Sequence, residues 1–172
     1  MLVIFFMAPP SGSTNFLTHA PRSDMMSRDS LTLEPIGVIH SPYRDRAETP
    51  RQGRFSDQTS EIELFPAYAH GLEGISRCTY LFVLWWGDQA ERNILKVIPP
   101  GESVERGVFS TRSPARPNPI GLSLVRILSI EGRRIRVMWL DALDQTPLLD
   151  IKPYSPGIDS IGEVSGDTKE ER

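Results

Sequence analysis

Residues 122–143 read LSLVRILSIEGRRIRVMWLDAL. Apolar and polar side chains alternate from Leu122 to Ile130, Glu131-Gly132 interrupts them, and the alternation resumes from Arg133 to Leu143. A period of two puts successive side chains on opposite faces of a strand. The stretch therefore predicts a β-hairpin with its turn at Glu131-Gly132.

The flanking segments have the same character. TYLFVLWW (79–86) is a dense β-branched and aromatic run, expected to be a central buried strand. EIELF (61–65) alternates, and LTLEPIGVIH (31–40) reads as a strand interrupted by Pro35. Proline cannot donate to a ladder, so the latter is expected at a sheet edge. QTP (145–147) reads as a turn and LLDIKPY (148–154) as the last strand. AYAHGLEGIS (67–76) has room for a short helical turn ending at Gly71 or Gly74, and a Pro99-Pro100-Gly101 turn precedes RGVFST (106–111). Six or so short strands with regular turns and almost no 3.6-residue period predict an all-β fold, a small single-sheet antiparallel β-barrel, closed or partly closed. The pattern leaves the strand order open.

The chain has 172 residues, 39% hydrophobic and 24% charged, ordinary values for one globular domain. That domain is expected over residues 31–156. Residues 1–30 read as a disordered or mis-started tail, and residues 157–172 as an acidic, flexible one. MLVIFFM (1–7) is too short to span a membrane and lacks the basic flank of a signal peptide, so no membrane role is expected. A natural start at Met25 or Met26 fits the Ser- and Pro-rich composition before them. Cys78 is the sole cysteine, which excludes an internal disulfide and a thiolate-rich metal site. Inside RCTYLFVLWW it reads as a buried, inert thiol, compatible with a reducing cytoplasm. His19, His40 and His70 are scattered, and Asp141, Asp144 and Asp150 span two turns without a histidine, so no metal is expected.

The net charge of −3 is unevenly spread. Seven arginines against Glu131 give residues 106–136 a local charge of +6, whereas residues 141–172 hold eight acids against three bases. A basic centre in an acidic protein suggests an anion or nucleic-acid contact; a solvated hairpin balanced by its own tail is the plainer alternative.

FSTRSPARPNPIG (109–121) concentrates three prolines. Each fixes φ and biases the residue before it towards extended geometry. A loop so confined loses little entropy on closing over a ligand, although a rigid connector would be confined in the same way. Arg112 and Arg116 beside Pro114 favour a site. TPRQGR (49–54) again sets a proline beside arginines, and its Arg51 and Gln52 could read a carboxylate, a phosphate or a base edge. Trp85 and Trp86 must face opposite ways on a strand, so one packs in the core while the other is free to line a pocket.

IGVIHSPYRDRAETPRQGR (36–54), LEGISRCTYLFVLWW (72–86), GVFSTRSPARPNPIGLSLV (107–125) and LDALDQTPLLDIKPYSP (140–156), in this order, resemble the TsaA-like, TrmO-type methyltransferases. The resemblance covers about Pro35 to Pro156, and TRSPxRPNPIG with a downstream DIKPY carries its specificity. It implies a small β-barrel homodimer that binds S-adenosylmethionine without a Rossmann domain. It also implies methylation of N6 of threonylcarbamoyladenosine beside the anticodon of tRNA.

Carried over, the family's cofactor contacts fall on Pro50, Arg51, Gln52, Leu84, Trp85, Arg112, Leu122, Met138, Trp139, Leu140 and Asp141. Leu84, Leu122 and Met138 suit an adenine slot, Arg51 or Arg112 a carboxylate, and Asp141 an amino or hydroxyl group. Tyr43, Asp45 and Asp141 are the candidate bases. Arg116, Arg126, Arg133, Arg134 and Arg136 are expected to serve the tRNA backbone.

Four departures from the family stand out. Ser76-Arg77 replaces a Ser-His pair, and a histidine often found near Trp85 is missing. Gln145 replaces the glycine of DGTP, and the extra C-terminal domain of the well-studied bacterial members is not expected here. Two alternatives remain beside the tRNA methyltransferase: the same pocket with another methyl acceptor, or a non-enzymatic RNA-binding barrel.

Overall fold

The structure, a computed structural model, describes residues 32–160. The expected tail 1–30, with its MLVIFFM segment and alternative start, lies outside the described residues, as does the acidic segment beyond Ser160. The strands are β1 (Gly37–His40), β2 (Thr59–Leu64), β3 (Tyr80–Trp86), β4 (Lys96–Val97), β5 (Arg106–Gly107), β6 (Ile120–Glu131), β7 (Arg134–Met138) and β8 (Thr146–Pro153); a four-residue helix, α1, spans Pro156–Asp159. Six of them close into an antiparallel barrel in the order β1-β2-β7-β6-β3-β8, while β4 and β5 form a separate two-stranded ribbon.

Alternation places one apolar set inside. Ile39, Ile62, Leu81, Val83, Val125, Ile135, Val137 and Leu148 are all no more than 1% exposed. A six-stranded ring is too narrow for more than its own side chains. The interior is therefore a packed core, and a ligand has to bind at an end or on the outer surface.

The predicted hairpin is present, with β6 and β7 joined through Gly132 at φ 59. Its second arm ends at Met138, short of the expected Leu143, because Trp139 turns the chain out of the ladder with φ 74. β1 is not an edge strand: it pairs with β2 and with β8. Pro35 lies two residues before the strand and takes no place in the ladder. β8 starts at Thr146, inside the expected turn, since Gln145 at φ 63 completes the reversal. RGVFST contributes two strand residues and then a 3₁₀ turn over Val108–Ser110. The short helical turn is 3₁₀ over Pro66–Leu72, followed by Gly74 at φ 83. Cys78 is half-buried against the core.

The registers sort the connections between two ends. Trp86 pairs Ile120, Trp85 pairs Leu148, Ile39 pairs Thr146 and Thr59 pairs Met138, all at one end. The connections 41–58, 87–119 and 139–145 leave from that end. Glu63 pairs Arg134 and Leu81 pairs Pro153 at the opposite end, where the hairpin tip and the connection 65–79 lie.

Candidate functional site

The connection 41–58 is bolted to the connection 139–145. The Ser41 amide donates to Asp144 Oδ1 at 3.1 Å, its hydroxyl donates to the Ala142 carbonyl at 2.8 Å, and the Asp144 amide donates to the Tyr43 carbonyl at 2.7 Å. Gly53 approaches Trp139 so closely that a Cβ there would stand 1.9 Å from the Trp139 carbonyl oxygen. Only glycine fits such an approach. The docked loop presents Pro50 and Gln52 half-buried and Arg51 exposed. Beside it, Pro42, Tyr43, Pro50 and Phe55 border an open depression of about 420 Å³.

The second wall comes from β3 and β6. Leu84 pairs Leu122 and Trp85 pairs Gly121. By alternation Leu84 and Leu122 lie on the outer face, with Leu122 51% exposed. The Trp85 Nε1–H donates to Ser123 Oγ at 3.0 Å, and the Ser123 hydroxyl donates to Asp141 Oδ1 at 2.6 Å. Met138 accepts a contact from Arg126 Nη2 at 3.7 Å through its sulfur. Trp139 stacks on Tyr80 with centroids 6.0 Å apart and carries the guanidinium of Arg54 at 5.1 Å and of Arg126 at 5.8 Å. Leu140 is buried in the core below.

The proline-rich loop is closed on itself. Arg116 Nε donates to the Ser113 carbonyl at 2.7 Å, and its Nη2 donates to the carbonyls of Thr111 at 2.7 Å and Val108 at 3.2 Å. Arg112 is exposed, and neither it nor Arg51 has an ion pair among the described residues.

The expected cofactor residues thus lie on the connections 41–58, 87–119 and 139–145 or on strand residues near them, with Met138 and Trp139 beside Arg126 and Tyr80, four residues along the ladder from Leu122 and Leu84. Of the candidate bases, Tyr43 is buried and its hydroxyl shares a 2.7 Å hydrogen bond with Ser56 Oγ. Asp45 Oδ1 accepts the amides of Ala47 and Glu48 within its own turn. Asp141 alone among the three is hydrogen-bonded into the cofactor set, through Ser123.

The arginines expected at RNA divide. Arg133 donates to the Leu64 carbonyl at 2.8 Å and pairs Glu63 at 2.7 Å, and Arg134 pairs Glu61 and Glu63 at 3.3 Å each. Both sit at the end opposite the site. The Glu63 carboxyl lies below its ordinary value, first because His40 hydrogen-bonds to it and then through the field of Arg133 and Arg134. Arg116, Arg133 and Arg134 therefore have partners within the chain, while Arg126 and Arg136 are exposed on β6 and β7 without an ion pair among the described residues. No cluster of three or more His, Cys, Asp or Glu side chains could hold a metal among the described residues, and none of their helices is long and apolar enough to cross a membrane.

Residues 38–160 match the family described as tRNA-methyltransferase O N-terminal domain. The chain belongs to this family. A protein of Archaeoglobus fulgidus named S-adenosyl-L-methionine-binding protein is 54% identical over 136 residues, 79% of this chain and 98% of that protein. The Escherichia coli K12 protein named tRNA (adenine(37)-N6)-methyltransferase is 37% identical over 147 residues, 79% of this chain and 63% of that one. A solved structure titled "Crystal structure of TrmO" superposes with a TM-score of 0.68 at 35% identity, over 80% of this chain and 64% of the other. The chain thus spans less than two thirds of the E. coli protein and of that structure.

The side chains at this end suit the family's expected cofactor. Leu84, Leu122 and Met138 offer apolar surface, Arg51 and Arg112 are cations without an ion pair, and Asp141 Oδ2 has no hydrogen-bond partner among the described residues. Sequence reasoning missed Ser123, Gly53, Arg54 and Tyr80. Ser123 carried no signal, because in the alternating run LSLVRILSI it reads as a polar position, and only the structure shows its phase pointing inward.

Proposed function

We propose that this chain transfers the methyl group of S-adenosylmethionine to N6 of threonylcarbamoyladenosine beside the anticodon of tRNA, as a cytoplasmic homodimer. The observation carrying this reading is the convergence of connections 41–58, 87–119 and 139–145 at one end of a filled barrel. The names of the Archaeoglobus and E. coli relatives support the cofactor and the acceptor base, respectively. The threonylcarbamoyl group follows from the family resemblance.

S-adenosylmethionine supplies a methyl group on a sulfonium centre, open to in-line displacement by a nitrogen. Leu84, Leu122 and Met138 hold the adenine by apolar contact, and Arg51 or Arg112 receives the carboxylate. Asp141 accepts from an amino or hydroxyl group of the cofactor. Positioning of the two reactants supplies most of the acceleration in such a transfer. Arg126 and Arg136 remain available for phosphates near the site.

The test is transfer of labelled methyl to tRNA with and without the threonylcarbamoyl group. Label at N6 of the modified base is the expected result. Cofactor binding without transfer to any tRNA would move the acceptor elsewhere. Absence of binding at millimolar cofactor would remove the methyltransferase reading altogether.

A further inference from the structure

Trp85, Ser123 and Asp141 form a hydrogen-bond chain at the site end of the barrel, with links of 3.0 and 2.6 Å. Chemistry sets its direction. An indole nitrogen only donates, so Ser123 Oγ accepts from it, and the single serine proton goes to Asp141. Each link donates towards Asp141, and neither Ser123 nor Trp85 can take a proton back from it. The chain is a brace and not a proton relay. Ser123 is only 6% exposed, which shelters the brace from competing water.

Two backbone features build the brace. Gly121 leaves the indole its seat, because a Cβ there would lie 2.0 Å from the ring. Trp139 at φ 74 turns the chain after β7, so Leu140 packs into the core and Asp141 comes within reach of Ser123. The result is a half-buried carboxylate with one oxygen held and the other, Oδ2, without a partner among the described residues. Oδ2 is open to water, whose place an N–H or O–H of a bound ligand can take.

We propose that Ser123, oriented by Trp85, is a positioning residue that holds Asp141 so its free oxygen receives an N–H or O–H of the bound S-adenosylmethionine. Asp141 is then a cofactor-recognition group and not the base that deprotonates the acceptor. This rests on the cofactor reading above.

Calorimetric titration of the full chain with S-adenosylmethionine and S-adenosylhomocysteine, together with steady-state kinetics, tests it. Ser123→Ala leaves Trp85 Nε1 and Asp141 Oδ1 unpartnered; affinity falls about ten-fold, KM for the cofactor rises in step, and kcat stays within about three-fold. Ser123→Thr, which keeps the hydroxyl, restores most of the affinity. Asp141→Asn still accepts from Ser123 but can present an amide donor at the free position, and affinity falls further, by about a hundred-fold. Trp85→Phe keeps most of the ring and lowers affinity a few-fold, so it serves if Ser123→Ala fails to fold. Unchanged affinity in Ser123→Ala and Trp85→Phe overturns the inference. So does an Asp141→Asn variant that binds normally while kcat falls about 10²–10⁴-fold, the mark of a lost base. An unaltered chain that binds neither ligand overturns the cofactor reading itself; binding by the unaltered chain with unaffected variants overturns the positioning role alone.

Discussion

Gly121 and Trp85 face each other across the β3–β6 ladder with no room for a methyl group between them. A Cβ on Gly121 would stand 2.0 Å from Trp85 Cε2 and 2.3 Å from two further ring atoms. An indole is rigid and cannot yield at its tip, so the whole ring must move. Gly121→Ala is therefore expected to destabilise the fold by about 1–3 kcal/mol, the usual range for overpacking. It should also pull Nε1 away from Ser123 and weaken cofactor binding. Thermal melting and calorimetry check the two effects, and an Ala variant that melts and binds like the unaltered chain contradicts the packing described.

Arg116 holds three carbonyls of the segment 108–113 with two of its nitrogens. Lysine, a point donor on a flexible stem, cannot reproduce that fork. Arg116→Lys and Arg116→Ala should both loosen the proline-rich loop, at about 1–3 kcal/mol, since hydrogen bonds from charged groups are the strong ones. Limited proteolysis between Val108 and Pro119 should speed up in both variants. Cofactor affinity should fall with it, because Arg112 rides on the same loop. Equal protease resistance in Arg116→Lys would show that the fork is dispensable.

Glu63 gathers His40, Arg133 and Arg134 on the outer face of β1, β2 and β7. Its carboxyl is held below the ordinary 4.5, led by the His40 hydrogen bond and helped by the two arginines. A depressed acid stabilises the fold above its unfolded value, and that contribution disappears as pH falls through the folded value. Stability should thus be insensitive to Glu63 above about pH 5 and decline below 4.5. In Glu63→Gln that part of the decline should be absent, leaving a flatter denaturant midpoint against pH. A variant curve parallel to the original across this window would remove Glu63 as its source.

The barrel was readable where local pattern and tertiary pairing agree. The Glu131-Gly132 turn lies between two alternating arms, and the structure has β6 and β7 there. The end of β7 was not readable, because Trp139 leaves the ladder against its neighbours Gly53, Tyr80 and Arg54, all remote in sequence. Arg133 and Arg134 looked free for RNA because β2, carrying Glu61 and Glu63, is adjacent only in the closed sheet. Arg116 looked free because its partners are backbone carbonyls, which composition does not reveal. Closure of the barrel through β1 and β8 depends on pairing between segments about a hundred residues apart, which alternation does not encode.

Gln145 occupies a left-handed position, φ 63, where the resembling family carries glycine. The left-handed conformation costs a non-glycine residue about 1–2 kcal/mol. Its amide offsets part of this by donating to His40 Nδ1 at 3.1 Å, on an exposed side chain where such a bond contributes little. Glycine would relieve the strain but lose about 0.5–1 kcal/mol more chain entropy on folding. Gln145→Gly should accordingly stabilise the chain by roughly 0.5 kcal/mol. Gln145→Ala keeps the strain and loses the hydrogen bond, so it should be the least stable of the three. Urea midpoints in the order Gly, Gln, Ala are the expected outcome; an alanine variant at or above the glycine one would mean that the turn at 145 is not under strain.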